Sequence, residues 1–276
     1  MLTISIVLYK TPVEQIQMYL CSLGKIKTPY KLYVVDNSPD NRLSEQFLSA
    51  AEDYTHLPHN PGYGAAHNVA IKKACAAGSS YHIVMNTDLS FESDVVTPMV
   101  KYMSENPRIG QMMPKILNPD GSIQRLCKLV PTPFDLFARM FFPASIKSKL
   151  SQRFELHASG YDKKMFVPYL SGCFMLLRAE VFGAVGLFDE RFFMYPEDID
   201  LTRRIAARYE TLFFPDCSVV HEHTASSKKS RRMLMIHIFN LIKYFNKWGW
   251  VFDRDRRSLN QRTLSQGDVF ESGGLI

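Results

Sequence analysis

The chain has 276 residues, 46% of them hydrophobic and 22% charged, which is ordinary for a folded protein with a large core and excludes disorder as the default. Its five cysteines are scattered without a CxxC pair, which excludes a disulfide framework and a zinc knuckle. The net charge of +6 is concentrated: residues 1–227 carry 23 basic and 23 acidic side chains, residues 228–276 carry 10 and 4.

The N-terminus, MLTISIVLYKTP, enters an apolar run without a basic leader, so no signal peptide is expected and the expected compartment is the cytoplasm. Thr3–Tyr9 reads as a strand, and Val13–Leu23 has helical spacing. Lys31–Ser38, KLYVVDNS, is a second strand that stops at polar residues. Leu43–Glu52 reads as helical and Tyr54–Leu57 as a short strand. NPGYGAAHN, Asn60–Asn68, is a glycine-rich turn opening an alanine-rich helix that Gly78 closes. Tyr81–Ser90, YHIVMNTDLS, is a further strand with a polar end.

This alternation predicts an α/β fold with a mostly parallel sheet flanked by helices. Ligands of such sheets bind beyond the carboxyl ends of the strands, where Asp36 and Asp88 both fall. Residues 145–165 read as a polar, mobile loop. Met165–Phe182 resumes strand, turn and helix character, and VVHEHTASS offers His221 and His223 after another apolar strand.

Several motifs carry chemistry. Asp36 either caps the next helix or accepts a hydrogen bond from a base or ribose. Gly62 and Gly64 let backbone approach a ligand closely, yet the turn is neither GxxxxGK[ST] nor GxGxxG, which disfavours a P-loop or a dinucleotide site. Asn86-Thr87-Asp88 places a carboxylate where a hard divalent cation, Mg²⁺ or Mn²⁺, could be held with phosphate oxygens and water. In FFMYPEDIDLTRR, Glu197, Asp198 and Asp200 crowd three carboxylates into four positions. They could cap a helix, bind a metal or serve as acid or base.

In order and spacing these segments (SIVLYKT, VVDNS, NPGYGAAHN, NTD, SGCFMLLRAEVF, FDERFFMYPEDIDLTRR and the strand ending at His221) resemble an inverting family 2 glycosyltransferase with the GT-A fold, of the bacterial rhamnosyltransferase-like type. The resemblance runs from Thr3 to about Ser227. It implies that Thr3–Thr11, Tyr9 included, and Asp36 hold the nucleotide of a nucleotide-sugar donor. Asn60, Gly62, Gly64 and Asn68 would approach the donor, and Asn86 would bond a ribose hydroxyl. Asp88 would hold a divalent metal, with His221 assisting at the metal or the diphosphate. Glu197-Asp198 would be the acidic pair containing the catalytic base. Like-charge repulsion from Glu197 would raise the pKa of Asp198, and Asp200 would orient a helix and pair with Arg203 or Arg204. The triplet departs from the family's DxD in having an amide at position 86. The implied acceptor is a glycan or lipid-linked glycan. A nucleotide-binding or regulatory protein on the same fold is the alternative.

Residues 228–276 read as a basic, amphipathic, helical extension whose last part, Ser258–Ile276, is flexible. Within Met233–Trp250, His237, Asn240, Lys243 and Lys247 form one polar stripe. The wide apolar face and basic flanks over 228–262 fit a helix lying on an anionic membrane surface, on the inner face of the cytoplasmic membrane, and fit equally a helix packed on the body. Phe134, Phe137 and Phe141, at helical spacing, are assigned to core packing. No nucleic-acid partner is expected, because residues 1–227 are neutral and the tail aromatics lie on a helix rather than a stacking platform.

Overall fold

The computed structural model describes residues 1–143, 150–222 and 231–270. The central strand, β1 (Leu2–Leu8), pairs in parallel with β2 (Tyr30–Asp36) on one side and β4 (Tyr81–Met85) on the other, and β3 (Asp53–His56) extends β2 in parallel. Period-two alternation in LTISIVL decides what each face meets. Leu2, Ile4, Ile6 and Leu8 enter the main core beside Ile16, Tyr19 and Leu23 of helix α1 (Val13–Leu23). On the other face α2 (Tyr63–Ala76) lies over β1 and β2, where Ala66, Ala70 and Ala74 are small enough for close approach.

Beyond β4 the sheet continues through β10 (Phe174–Arg178), β6 (Ile109–Leu117), β11 (Glu210–His221) and β5 (Leu89–Ser90). β10 runs antiparallel to both β4 and β6, while β11 is parallel to β6. The carboxyl ends of β1, β2, β4, β6 and β11 therefore open on one edge. β7 (Cys127–Lys128) pairs with β9 (Tyr169–Leu170), and β8 (Met165–Phe166) flanks β11. Helices α3 (Val96–Glu105), α4 (Pro133–Phe141), α5 (Glu180–Val185) and α6 (Glu197–Ala206) complete the body, and α7 (Arg231–Trp248) and α8 (Arg254–Leu264) follow.

Five local expectations change. Tyr81–Ser90 is not one strand but two, β4 and β5, separated by residues 86–88. Only Ser44–Phe47 of the stretch Leu43–Glu52 is helical, as a 3₁₀ turn. The described part of 145–165 is anchored rather than loose, since Phe154, Leu156 and Tyr161 are buried in the main core. Ser258–Phe270 is ordered into α8 and a further turn, with Leu259, Thr263 and Val269 buried. Phe134 and Phe137 are 53% exposed rather than packed inside. Among the described residues no helix is long and apolar enough to cross a membrane.

Candidate active site

The antiparallel ladder of β5 on β11 sets His221 opposite Leu89, the residue after Asp88, and Glu222 N–H donates to Asp88 O at 2.9 Å. His221 Nε2 consequently stands 3.2 Å from Asp88 Oδ1. The tautomer follows from Gln124, whose Nε2–H₂ donates to His221 O at 2.8 Å. That bond turns Gln124 Oε1 toward His221 Nδ1 at 2.9 Å, so Nδ1 is the donor between them and Nε2 is the ring nitrogen that faces the carboxylate. A carboxylate oxygen and an imidazole nitrogen at this distance are ligand types that a divalent cation could take together. Among the described residues no group of three or more His, Cys, Asp or Glu converges on one point. A metal here would take Asp88 and His221 and fill its shell with water and phosphate oxygens.

The acids of α6 are built differently. Asp198 Oδ2 accepts from Gly172 N–H at 3.0 Å and Oδ1 from Ile199 N–H at 2.8 Å, which fixes the carboxylate. Gly172 fits closely here: a Cβ on it would stand 3.1 Å from that of Asp198, so the acid would have to give by a few tenths of an ångström. Glu197 is 5% exposed, and its Oε2 is buried without a hydrogen-bond partner among the described residues. Burial first, then the charge of Asp198, raises the Glu197 pKa strongly. Burial also raises that of Asp198, against the opposing pull of the Gly172 and Ile199 N–H groups and the Lys128 ammonium. Desolvation, rather than repulsion by Glu197, is thus the main cause at Asp198.

The segment Gly172–Cys173, at the mouth of β10, joins the two groups of acids. Asn86 N–H donates to Cys173 O at 2.9 Å, while Gly172 N–H holds Asp198. Tyr63 Oη donates to Gly172 O at 2.8 Å and lies 3.1 Å from Asn86 Oδ1. Burial, followed by the charges of Glu197, Cys173, Asp198 and Asp88, pushes the Tyr63 hydroxyl well up, so it stays a donor. Asp88, Asn86, His221, Glu197 and Asp198 are thereby brought to one place, and Tyr9, half exposed at the carboxyl end of β1, lies on the same edge.

Other anticipated site residues serve the frame. Thr3 sits at the amino end of β1, fully buried, with its hydroxyl 2.7 Å from His82 Nδ1. Asp36 is also buried, accepting from Ser38 N–H at 2.8 Å and from Tyr54 Oη at 2.5 Å. Asn60 Oδ1 accepts from Gly62 N–H and from Asn37 Nδ2, each at 3.2 Å, which closes the turn. The glycines admit protein rather than open space: a Cβ on Gly62, whose φ is +100°, would fall 2.2 Å from Phe193 O, and one on Gly64 would fall 2.9 Å from Phe188 Cβ. Asn68 spends its amide on the same segment, donating to Phe188 O at 2.9 Å and accepting from Phe188 N–H at 3.0 Å. NPGYGAAHN is therefore the seat of the 188–197 segment that delivers the acids. His223 lies outside the described residues.

Helix α7 takes up one of the two placements expected of it, packing on the body. Its polar stripe points inward: Asn240 Nδ2 donates to Met194 O at 2.9 Å, Lys243 Nζ to Arg191 O at 2.8 Å, and His237 stacks on Tyr195 at 5.0 Å. Lys247 pairs with Asp189 at 2.8 Å and with Asp200 at 2.6 Å. Asp200 also accepts from Trp248 Nε1 at 2.8 Å and from Arg204 Nε at 2.9 Å. Arg203 instead runs to Asp253 at 2.8 Å, with its guanidinium 3.8 Å from the Trp248 ring centre. Gly172, Tyr63 and Gln124 were missed in the sequence; SGC opening a strand, and the aromatic between two turn glycines, were their only signals.

Relatives carry the same frame. An N-acetylglucosaminyl-diphospho-decaprenol L-rhamnosyltransferase of Mycobacterium tuberculosis is 29% identical over 233 residues, 79% of this chain and 74% of that one. The crystal structure of GalNAc-T7 with UDP, GalNAc and Mn²⁺ superposes with a TM-score of 0.63 at 16% identity, over 90% of this chain and only about half (48%) of that one. The mannosyltransferase PcManGT of Pyrobaculum calidifontis, in complex with GDP-Man and Mn²⁺, superposes at 0.56 and 15% identity over 100% of this chain and 76% of its own. The fold is GT-A-like, as the sheet order and these superpositions agree. The family model of glycosyl transferase family 2 matches residues 4–186, and the protein is a glycosyltransferase belonging to that family.

Proposed function

We propose that the protein moves a sugar from a nucleotide donor, dTDP-rhamnose or a UDP-hexose, to a hydroxyl of a growing, lipid-linked bacterial surface polysaccharide, with inversion at the anomeric carbon. The reaction would run in the cytoplasm, at the inner face of the membrane. The observation that carries this reading is the fixed Asp198 carboxylate, joined through Gly172–Cys173 to the Asp88–His221 pair.

Inversion in a single displacement needs a base on the face opposite the leaving group. Asp198, its pKa raised by burial, takes the acceptor hydroxyl's proton. Glu197 stays protonated beside it, so a second charge does not oppose the first. Asp88 and His221 would hold Mg²⁺ or Mn²⁺, which supplies positive charge to the departing diphosphate. Tyr63 keeps Asn86 and Gly172 in register, and the exposed Tyr9 ring offers a stacking surface for the base. The GalNAc-T7 and PcManGT structures were solved with Mn²⁺ and a uridine nucleotide or guanosine-diphospho sugar, and the mycobacterial relative's name specifies a lipid-diphosphate acceptor. These support the donor, metal and acceptor classes proposed. The closeness of the residues proposed as base and cation pair supports turnover over a nucleotide-binding protein without it.

A donor panel tests the reading, scored by nucleoside diphosphate release with Mg²⁺, Mn²⁺ or chelator, with the product's anomeric configuration read by NMR. The expected result is turnover of one thymidine or uridine donor, lost with chelator and in Asp88→Asn, with inverted product. Retained configuration would contradict it.

A further inference from the structure

Helix α7 has two faces. The inward one grips the segment that presents Glu197 and Asp198, through Asn240, Lys243, Lys247 and Trp248. The outward one is apolar and uncovered: Met235, Phe239 and Ile242, at steps of four and three, are 48%, 57% and 39% exposed. Trp250 prolongs the row by donating from Nε1 to Asn246 Oδ1 at 2.9 Å, and Val251 and Phe252 beyond it are 66% and 86% exposed. A groove of about 880 Å³ opens alongside, apolar at Phe134, Trp250 and Val251 and cationic at Arg153, Arg256 and Arg257. Arg256 is 6% exposed, and its Nη1 has no hydrogen-bond partner among the described residues, with only Asp253 at 3.8 Å.

Clustered apolar side chains of this kind mark an interaction surface, and the charge around them selects the occupant. Arg232, Arg254, Arg257 and Arg262 are exposed on the same helical pair, and the whole excess charge of the chain lies in residues 228–276. A second copy would bring like charges together. An anionic bilayer neutralises them, and a convex helix carrying an apolar row with basic flanks matches the headgroup boundary of a membrane rather than a protein groove.

We infer that this face docks on an anionic lipid bilayer, with the Met235–Ile242 row and Trp250–Phe252 entering the acyl boundary and the arginine groove taking lipid phosphates. Because the inward face of the same helix holds the acidic segment, docking sets the active site at the membrane surface, where a lipid-linked acceptor resides. This deepens the reading above and rests on its membrane-borne acceptor.

Co-sedimentation of the full chain with phosphatidylcholine vesicles, with and without phosphatidylglycerol, tests it. The expected partition is at least ~10-fold higher with phosphatidylglycerol and weakens with salt. Two double variants, Phe239→Glu with Val251→Glu and Arg254→Glu with Arg257→Glu, should each lose ~10-fold of that binding. Their melting temperature and donor turnover on a water-soluble acceptor should be unchanged. Equal binding to both vesicle types, or wild-type vesicle binding by well-folded variants, overturns the proposal. So does a dimer dispersed by the same substitutions, which would assign the face to a second copy. Vesicle binding without any sugar transfer would instead fault the catalytic reading and leave the docking surface standing.

Discussion

Trp248 Nε1 donates to Asp200 Oδ1 at 2.8 Å, tying the last turn of the C-terminal helix to the helix that carries both candidate catalytic acids. Asp200 is fully buried and is the common anchor of Trp248, Lys247 and Arg204. Replacing Trp248 by Phe removes the donor and keeps a ring for Arg203 to lie on. The expected cost is about 1–3 kcal/mol in urea unfolding, the usual loss for a hydrogen bond to a buried charge. Turnover should fall more than donor affinity, because the bond acts on the acids and not on the donor. Unchanged stability and rates would show that the brace is idle.

Gly172→Ala should act on the base alone. A Cβ 3.1 Å from that of Asp198 makes the acid give by a few tenths of an ångström, which strains its bond to the Gly172 amide. A full 1 Å misplacement costs about 100-fold in rate, so this smaller shift is expected to cost about 10-fold or less. Steady-state kinetics should show that loss in kcat, with donor KM and melting temperature near wild type.

The pH dependence of stability follows from Glu197, whose folded-state pKa burial raises. Its unfolded counterpart ionises near ~4.3. As pH climbs above that value the unfolded chain releases a proton that the folded chain keeps, so folding stability is lost with rising pH until the folded group ionises in turn. Glu197→Gln removes this dependence. The variant should melt about 3–6 °C above wild type at alkaline pH and gain little at acid pH. A larger gain at acid pH would contradict the assignment.

Two buried histidines set the acid limb. Burial lowers His67 well below the ordinary imidazole range and His82 to about 3. They belong to a chain in which Ser5 Oγ is 2.8 Å from His67 Nδ1 and 2.9 Å from His82 Nε2. Below about pH 6.5 the unfolded chain takes up protons that these rings refuse, so stability falls as pH falls from there. Proton NMR should show neither ring titrating between about pH 5 and 8, where an exposed histidine would.

What was legible in the sequence divides along physical lines. Val13–Leu23 and the first three strands are specified by local periodicity and were placed to within a residue or two, whereas Tyr81–Ser90, expected as one strand, divides into β4 and β5. The crowding at Glu197–Asp200 also showed, because three acids in one turn are locally costly. The polar stripe of α7 showed as a stripe, but periodicity alone carries no sign: Asn240 and Lys247 could not reveal that they face protein rather than water. Gly62 likewise announced a close approach without naming Phe193 as the partner. Gln124 and His221 are 97 positions apart and meet only through the β6–β11 pairing, which no local signal encodes.

The central claim is that Asp198 is the base. The decisive measurement is the donor turnover of Asp198→Asn beside its donor affinity by calorimetry, in a variant shown to melt like wild type. Asn keeps the shape and an acceptor for the Gly172 amide but cannot take a proton at neutral pH. Turnover should fall by at least ~10²–10⁴-fold, the range contributed by general-base catalysis, with donor affinity within a few-fold of wild type. Near-wild-type turnover in a folded Asp198→Asn protein would contradict the account.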